Sequence, residues 1–265
     1  SLFTSDATWA IFRATRDADG KSFLLKLLTD EFPRETHVED LKREYRYASR
    51  HYGENVSRAL DFVPVRNGSC IAFEDALGPL VASVVADEGL RLDERLSLAV
   101  DMCAALAQVH GTGIVHGGVS PLSFQCDANV REARLLGFSH ATLKSMERFR
   151  GPRSQGCITP YTAPERTGRL NRSVDSRSDL YSLGVTLYEL FTGITPFTGD
   201  ETELAYAHIA RAPAPPSVVR PDLPRPLSDV VLKLLEKESD QRYQSAECLL
   251  EDIRFCHSSF TSSSA

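Results

Sequence analysis

Residues 161–197 have the sequence YTAPERTGRLNRSVDSRSDLYSLGVTLYELFTGITPF, and this stretch constrains the fold tightly. Within it, residues 176–193 are apolar on almost every face of a helix, which predicts a helix buried inside the protein. Gly193 stands where a glycine commonly caps the end of a helix. We therefore expect a buried helix at the centre of a sizeable domain.

Working outward, the chain divides into a strand-rich first part and a helix-rich second part. Residues 9–28 are predicted to form two strands joined by a turn that ends in Gly20, and residues 58–74 a second hairpin. A charged segment with helical spacing, 36–52, lies between them. The helices predicted in the second part span 92–110, 176–193, 202–210, 227–237 and 244–256.

Composition excludes several classes of protein. The 265 residues are 42% hydrophobic and carry a formal net charge of −6, which disfavours nucleic-acid binding. No apolar run approaches the roughly 20 residues that span a bilayer. Six cysteines without a CxxC pair favour a reducing, cytoplasmic compartment and give no metal site.

Five residues lie at spacings typical of one family. Lys26 lies in the predicted strand FLLKLL and is followed 18 residues later by Glu44. Glu165 ends the run Thr-Ala-Pro-Glu, Asp179 lies in the buried helix, and Arg242 lies in DQRYQSA. With these motifs the chain resembles protein kinases over nearly its whole length. From residue 160 onward it is similar to the kinase-like domain at the N-terminus of fungal hybrid histidine kinases.

The resemblance implies an α+β, bilobal protein-kinase fold. We expect residues 1–75 to form a β-rich N-lobe with one αC-like helix. Residues 76–257 would form a mainly helical C-lobe. The serine-rich end, 258–265, is predicted to be a disordered tail.

The resemblance also assigns structural roles. His116 and Phe138 should stack between the lobes, and Asp179 should accept backbone N–H groups of the loop at His116. Glu165 and Arg242 should form a buried ion pair. Lys26 and Glu44 would form a vestigial nucleotide site, in which Lys26 contacts phosphates, or else a purely structural ion pair.

Four positions depart from the family pattern of catalytic residues. Gly118 replaces the aspartate that accepts the hydroxyl proton, and Ser120 replaces a lysine. Ser123 and Gly137 replace the asparagine and aspartate that bind Mg²⁺. A glycine side chain neither coordinates a metal nor accepts a proton. We therefore expect no catalytic residue and no metal site.

The nucleotide pocket departs from the pattern as well. Residues 4–9 contain no glycine where a glycine-rich loop should cover the phosphates, and Asp6 adds a negative charge there. Leu24 replaces a small residue above the adenine ring, and Gln125 an apolar residue below it. Phe73 would be a large gatekeeper. We expect no cofactor, with ATP binding weak or absent.

These observations favour a pseudokinase, a catalytically inactive regulatory domain of a two-component phosphorelay protein. Its partners would be downstream domains of the same polypeptide or other signalling proteins, with neither nucleic acid nor membrane. Two alternatives remain open: an atypical active serine/threonine kinase, and an ATP-binding sensor without turnover. The basic segment 141–156 could bind an acidic partner or remain a solvated loop.

Overall fold

The computed structural model describes residues 1–5, 8–30, 33–65, 68–85, 87, 89–144 and 157–264. The chain folds into a smaller lobe built on an antiparallel sheet and a larger lobe built mainly from helices. The expected α+β, bilobal architecture is thus confirmed. The backbone passes from one lobe to the other through Asp75 and Ala76.

The N-lobe is a five-stranded sheet covered by one helix. Its strands are β1 (Leu2–Ser5), β2 (Trp9–Thr15), β3 (Ser22–Leu28), β4 (Ala59–Val65) and β5 (Gly68–Glu74). They lie in the order β1-β2-β3-β5-β4, and every pair is antiparallel. Gly20, with φ +70°, supplies the left-handed residue in the turn between β2 and β3. Helix α1 (Glu35–Ala48) packs on β4 and β5 and buries Leu41, Glu44 and Ala48.

The C-lobe is assembled around the helix that the sequence predicts to be buried. Its helices are α2 (Leu92–His110), α3 (Ser176–Thr192), α4 (Glu201–Ala210), α5 (Pro216–Val219), α6 (Arg225–Leu234) and α7 (Ala246–Ser264). Helix α3 contacts α2 and α6 and is capped at its N-terminus by Asp175. Gly193 ends it with φ +79°.

Five short strands line the cleft side of the C-lobe. They are β6 (Leu77–Leu80), β7 (Ile114–Val115), β8 (Phe124–Asp127), β9 (Ala133–Leu135) and β10 (Thr142–Leu143). Strand β8 pairs with β6 and β9, and β7 pairs with β10. These pairings place the loops after β7 and β9 next to each other at the cleft.

One hydrophobic core runs through both lobes. It includes Leu24, Ile71 and Phe73 from the sheet, and Phe138 and Leu135 from the C-lobe side. Because apolar burial is continuous across the junction, the lobes are held together by packing as well as by the connecting chain.

Two elements differ from the sequence-based expectations. Strand β1 forms from Leu2–Ser5, a segment too short to show alternation. The sequence predicts a disordered tail at 258–265; in the structure α7 continues through Ser264, and residue 265 lies outside the described residues. The hydroxyls of Thr261 and Ser262 donate to backbone carbonyls four residues earlier, so these polar side chains form hydrogen bonds within α7.

In the described part of the chain, no helix combines the length and apolarity that a membrane crossing needs.

Candidate active site

The predicted lysine and glutamate meet in the cleft between the lobes. Lys26 on β3 and Glu44 on α1 form an ion pair with 2.7 Å between Nζ and Oε2, and both side chains are buried. The Ser139 hydroxyl lies 2.8 Å from the same Nζ and 2.9 Å from the same carboxylate oxygen. The ring of Trp9 lies 4.6 Å from the ammonium. Lys26 is therefore held in one position, with two of its three N–H donors used by described residues.

Asp179 fixes the backbone of the loop that follows β7. Its two carboxylate oxygens accept the N–H groups of His116 and Gly117, each at 2.7 Å, and His110 Nε2 lies 2.9 Å away. Burial alone would raise the pKa of Asp179. The hydrogen bond and charge of His110, aided by His116 and the Gly117 N–H, lower that pKa below its usual value instead.

The positions predicted to have lost catalytic side chains carry other roles. Gly118 and Gly137 offer no side chain, and Gly137 adopts a φ of +82°. The buried Ser123 hydroxyl accepts from the Ser120 N–H at 3.0 Å and donates to the Ser120 carbonyl at 2.8 Å, which closes a turn. Among the described residues, no three His, Cys, Asp or Glu side chains are grouped to hold a metal ion. The residues present do not fit a protein-bound Mg²⁺ ion.

The aromatic stack between the lobes is assembled. His116 packs edge-on against Phe138, with 5.2 Å between ring centroids. Phe138 stacks in turn on Tyr52, which follows α1, also at 5.2 Å. The Phe138 N–H donates to Glu44 Oε1 at 3.2 Å. The ion pair and the stack are therefore parts of one connected arrangement.

Gln125 occupies the hydrogen-bonding edge of the segment that joins the lobes. Its side-chain oxygen accepts the Ala76 N–H at 3.1 Å, and its amide nitrogen donates to Asp75 at 2.6 Å and to the Gly78 carbonyl at 3.2 Å. Gln125 is fully buried. Arg13 forms an ion pair with Asp75 from the sheet side, with 2.8 Å between Nε and Oδ2. A nucleotide base reaches the Ala76 N–H only by displacing the Gln125 amide.

Two large apolar side chains lie beside the expected nucleotide pocket. Leu24 lies opposite Phe73 in the β3–β5 register, and neither side chain is exposed. Thr4 and Ser5 belong to β1, and Trp9 begins β2. Asp6, predicted to repel phosphates, lies outside the described residues.

Glu165 and Arg242 meet as a bidentate pair inside the C-lobe. The two nitrogen–oxygen distances are 2.8 and 2.9 Å, both residues are buried, and Ser178 donates to Glu165 at 2.7 Å. Burial opposes ionisation of Glu165, but the hydrogen bonds and charge of Arg242 lower its pKa below the ordinary value. Loss of one partner would leave a buried charge uncompensated.

Sequence reasoning missed His140, which lies against the loop glycines Gly117 and Gly118. The pair of adjacent glycines indicates room for a neighbouring side chain, but the sequence does not say which residue fills it. Sequence reasoning also missed the bonds from Gln125 to the connecting segment, although it had singled out the residue. Of the predicted basic segment, 145–156 lies outside the described residues.

Comparison with known proteins identifies relatives along almost the whole chain. The family model described as a protein kinase domain matches residues 8–253. The serine/threonine-protein kinase PknB of Mycobacterium tuberculosis is 35% identical over 190 residues, which cover 71% of this chain and 30% of that protein. A probable serine/threonine-protein kinase of Clostridium perfringens is 27% identical over 244 residues, which cover 86% of this chain and 33% of that protein. The chain spans about a third of the length of these relatives.

These relatives correct the functional expectation. The prediction of a catalytically inactive, fungal hybrid-histidine-kinase domain is wrong, because the relatives found are bacterial proteins named as serine/threonine-protein kinases. The same names contradict the expectation that the domain is not an enzyme. With its two-lobed fold, its Lys26–Glu44 pair and a family match over residues 8–253, the chain belongs to the protein kinase family.

Proposed function

We propose that this chain is an atypical serine/threonine protein kinase domain, which transfers the γ-phosphoryl group of a nucleoside triphosphate to a serine or threonine hydroxyl. It is atypical because positions 118 and 137 carry glycine. The observation that carries the proposal is the buried Lys26–Glu44 ion pair, formed at 2.7 Å beside the stacked Phe138. The names of the relatives support the choice of serine and threonine as acceptors.

We expect Lys26 to contact the phosphates of the nucleotide. Its ammonium is fixed by Glu44 and Ser139, so little side-chain entropy would be lost when a phosphate oxygen binds. A positive charge in a desolvated cleft stabilises negative charge on a transferring phosphoryl group more strongly than it would in water.

The base of the nucleotide would bind at the segment that joins the lobes. Its acceptor atom would take the Ala76 N–H from the Gln125 side chain, one hydrogen bond replacing another. A cavity of about 550 Å³ opens beside this segment, lined by Phe3, Arg13 and Leu77 among others. We expect the sugar of the nucleotide to lie in this cavity.

Phosphoryl transfer itself is the test of this proposal. Purified protein is incubated with γ-labelled ATP, Mg²⁺ or Mn²⁺ and a generic protein substrate, and labelled phosphoserine and phosphothreonine are measured. We expect incorporation that falls by roughly 100-fold in Lys26→Met, because the phosphate contact is lost. Lys21→Met is the matched control, since Lys21 is exposed on the β2–β3 turn.

Two results would overturn the proposal. One is the absence of labelling with either metal. The other is equal labelling by the wild-type and Lys26→Met proteins, which would trace the activity to a contaminating enzyme.

A further inference from the structure

The side-chain space of Gly118 is occupied by another residue of the chain. A Cβ atom built on Gly118 would lie 2.9 Å from Cδ2 of the His140 imidazole, closer than real Cβ atoms come to a neighbour. The imidazole therefore fills the place where a side chain at position 118 would begin. By the family resemblance, this is the place of the group that takes the proton from the acceptor hydroxyl.

The neighbouring glycine is part of the same arrangement. Gly117 has a φ of +73°, and a Cβ atom there would lie 2.7 Å from the His140 carbonyl oxygen and 3.2 Å from Arg166 Nη1. Larger residues at 117 and 118 would collide with His140 in its present position. The two glycines and the histidine thus fit one another, which argues against a simple loss of side chains.

His140 also has the chemical properties of a base. His140 keeps access to solvent although its side chain packs against Gly118, and among the described residues no hydrogen bond to either ring nitrogen is found. Desolvation, followed by the positive charges of Arg166, His116 and Lys26, lowers its pKa below the ordinary value, against the opposing effect of Glu44. The ring is therefore neutral at pH 7, with a lone pair available to accept a proton.

We propose that the His140 imidazole is the general base of phosphoryl transfer in this domain, acting from the space that Gly118 leaves open. The inference rests on the proposed function. A ring nitrogen accepts the proton of the serine or threonine hydroxyl while its oxygen bonds to the γ-phosphorus of the nucleoside triphosphate. The bond from that phosphorus to the β–γ bridging oxygen breaks, nucleoside diphosphate leaves, and the imidazolium returns its proton to solvent.

His140→Gln is the first test, because it keeps a polar side chain of similar reach but removes the basic nitrogen. We expect kcat to fall by roughly 100-fold or more, as is usual for loss of a general base, while KM for nucleotide stays unchanged. His51→Gln is the control, since His51 is exposed on the loop after α1. His140→Phe preserves the ring volume and should be as inactive as His140→Gln.

The pH profile separates a base from a packing residue. In the wild type, kcat should rise with pH and level off at or below about pH 6.5, the unperturbed histidine value. The rise of kcat with pH should be absent from the residual activity of His140→Gln. A residue that only fills space would change the rate without changing the shape of this profile.

Restoring a carboxylate provides the complementary test. In the double variant Gly118→Asp with His140→Ala, the aspartate has the space that the imidazole vacates. We expect the double variant to be at least tenfold more active than His140→Ala alone.

The outcomes separate the two proposals. Unchanged kcat in His140→Gln, with an active wild type, would overturn the role of His140 and leave the kinase assignment standing. An inactive wild type with an active double variant would overturn both proposals for the natural sequence, and would show that the remaining residues support transfer once a carboxylate is restored. Inactivity of both proteins would overturn both proposals.

Discussion

Under the proposed function, the Gln125 amide sets how strongly a nucleotide base can bind at the segment that joins the lobes. It is fully buried, and its oxygen already accepts the Ala76 N–H. Its nitrogen donates to Asp75, which Arg13 and Ser22 also bind. The neutral bond from the Ala76 N–H to Gln125 contributes about 0.5–1.5 kcal/mol net, and the bond to the charged Asp75 about 1.5–3 kcal/mol. A nucleotide base would therefore compete with the Gln125 side chain for the Ala76 N–H.

Substitution of Gln125 should strengthen nucleotide binding. In Gln125→Leu the Ala76 N–H loses its internal acceptor, so ATP affinity should rise roughly tenfold, equivalent to about 1.4 kcal/mol. The measurement is the thermal shift on ATP titration without metal. Gln108→Leu is the control, because Gln108 makes a side-chain bond of 3.1 Å to Asn55 away from this segment. Equal ATP affinity in wild type and Gln125→Leu would contradict the displacement of Gln125 by the base.

Sequence alone could single out Gln125 and Leu24, because each replaces a different type of residue at a motif-defined position. It could not give the direction of the Gln125 amide, which depends on where the strand register places Asp75 and Gly78. It also could not find His140, because a histidine after Ser139 becomes informative only when the fold brings it beside Gly118.

At the scale of elements, helix α3 and the loop after β7 depend on a single carboxylate. Asp179, in the first turn of α3, holds two backbone N–H groups of that loop and the ring of His110. Hydrogen bonds to a charged group contribute about 1.5–3 kcal/mol each. The position of the loop is therefore coupled to the ionisation of Asp179.

Asp179→Asn should lower stability in a pH-dependent way. At pH 7 the variant should lose about 2–3 kcal/mol, because an amide oxygen replaces only part of the charged acceptor. The folded pKa of Asp179 is below its usual value, so its contribution is complete above about pH 4 and is lost as the pH falls through the folded pKa. The difference between wild type and variant in urea unfolding should therefore narrow at acid pH.

Asp229→Asn is the control for this series, since Asp229 is exposed on α6. A wild-type–variant difference that stays constant from pH 7 to pH 3 would show that Asp179 does not titrate with a lowered pKa.

Elements with strong patterns were predictable because local signals agreed with tertiary packing. Helix α2 spans Leu92–His110, the predicted range, and α3 ends before its predicted glycine cap. The hairpin of β2 and β3 follows from apolar strands around a glycine turn. Strand β1 was not predictable because its four residues are too few to show alternation, and the end of α7 was not predictable because its serine-rich sequence has little apolar character. Pairing with β2 and continuation of a packed helix determine them instead.

At the scale of the whole molecule, the lobes share one core and one aromatic stack. Phe138 is fully buried and contacts His116 from the C-lobe and Tyr52 from the segment after α1. The same segment is tied to β9 by the bonds Ser57 N–H to Leu135 O and Leu135 N–H to Asn55 O, at 2.9 and 2.8 Å. We infer that the lobes unfold as one cooperative unit.

Phe138→Ala tests this cooperativity. Removal of a fully buried phenylalanine should cost about 3–5 kcal/mol of unfolding free energy. Calorimetry should still show a single transition at a lower temperature, because both lobes lose packing together. Phe255→Ala, at a position 69% exposed on α7, should change stability little. Two separate transitions in the wild type would contradict a shared core.

The buried Gln125 has a consequence for pharmacology. A heteroaromatic inhibitor that imitates adenine would need the Ala76 N–H as its donor, and here the Gln125 side-chain oxygen already accepts that N–H. Such compounds would lose potency against this protein relative to kinases with an apolar residue at position 125. A selective compound would instead carry its own carboxamide, to take over the contacts with Asp75 and Gly78 as it displaces the glutamine.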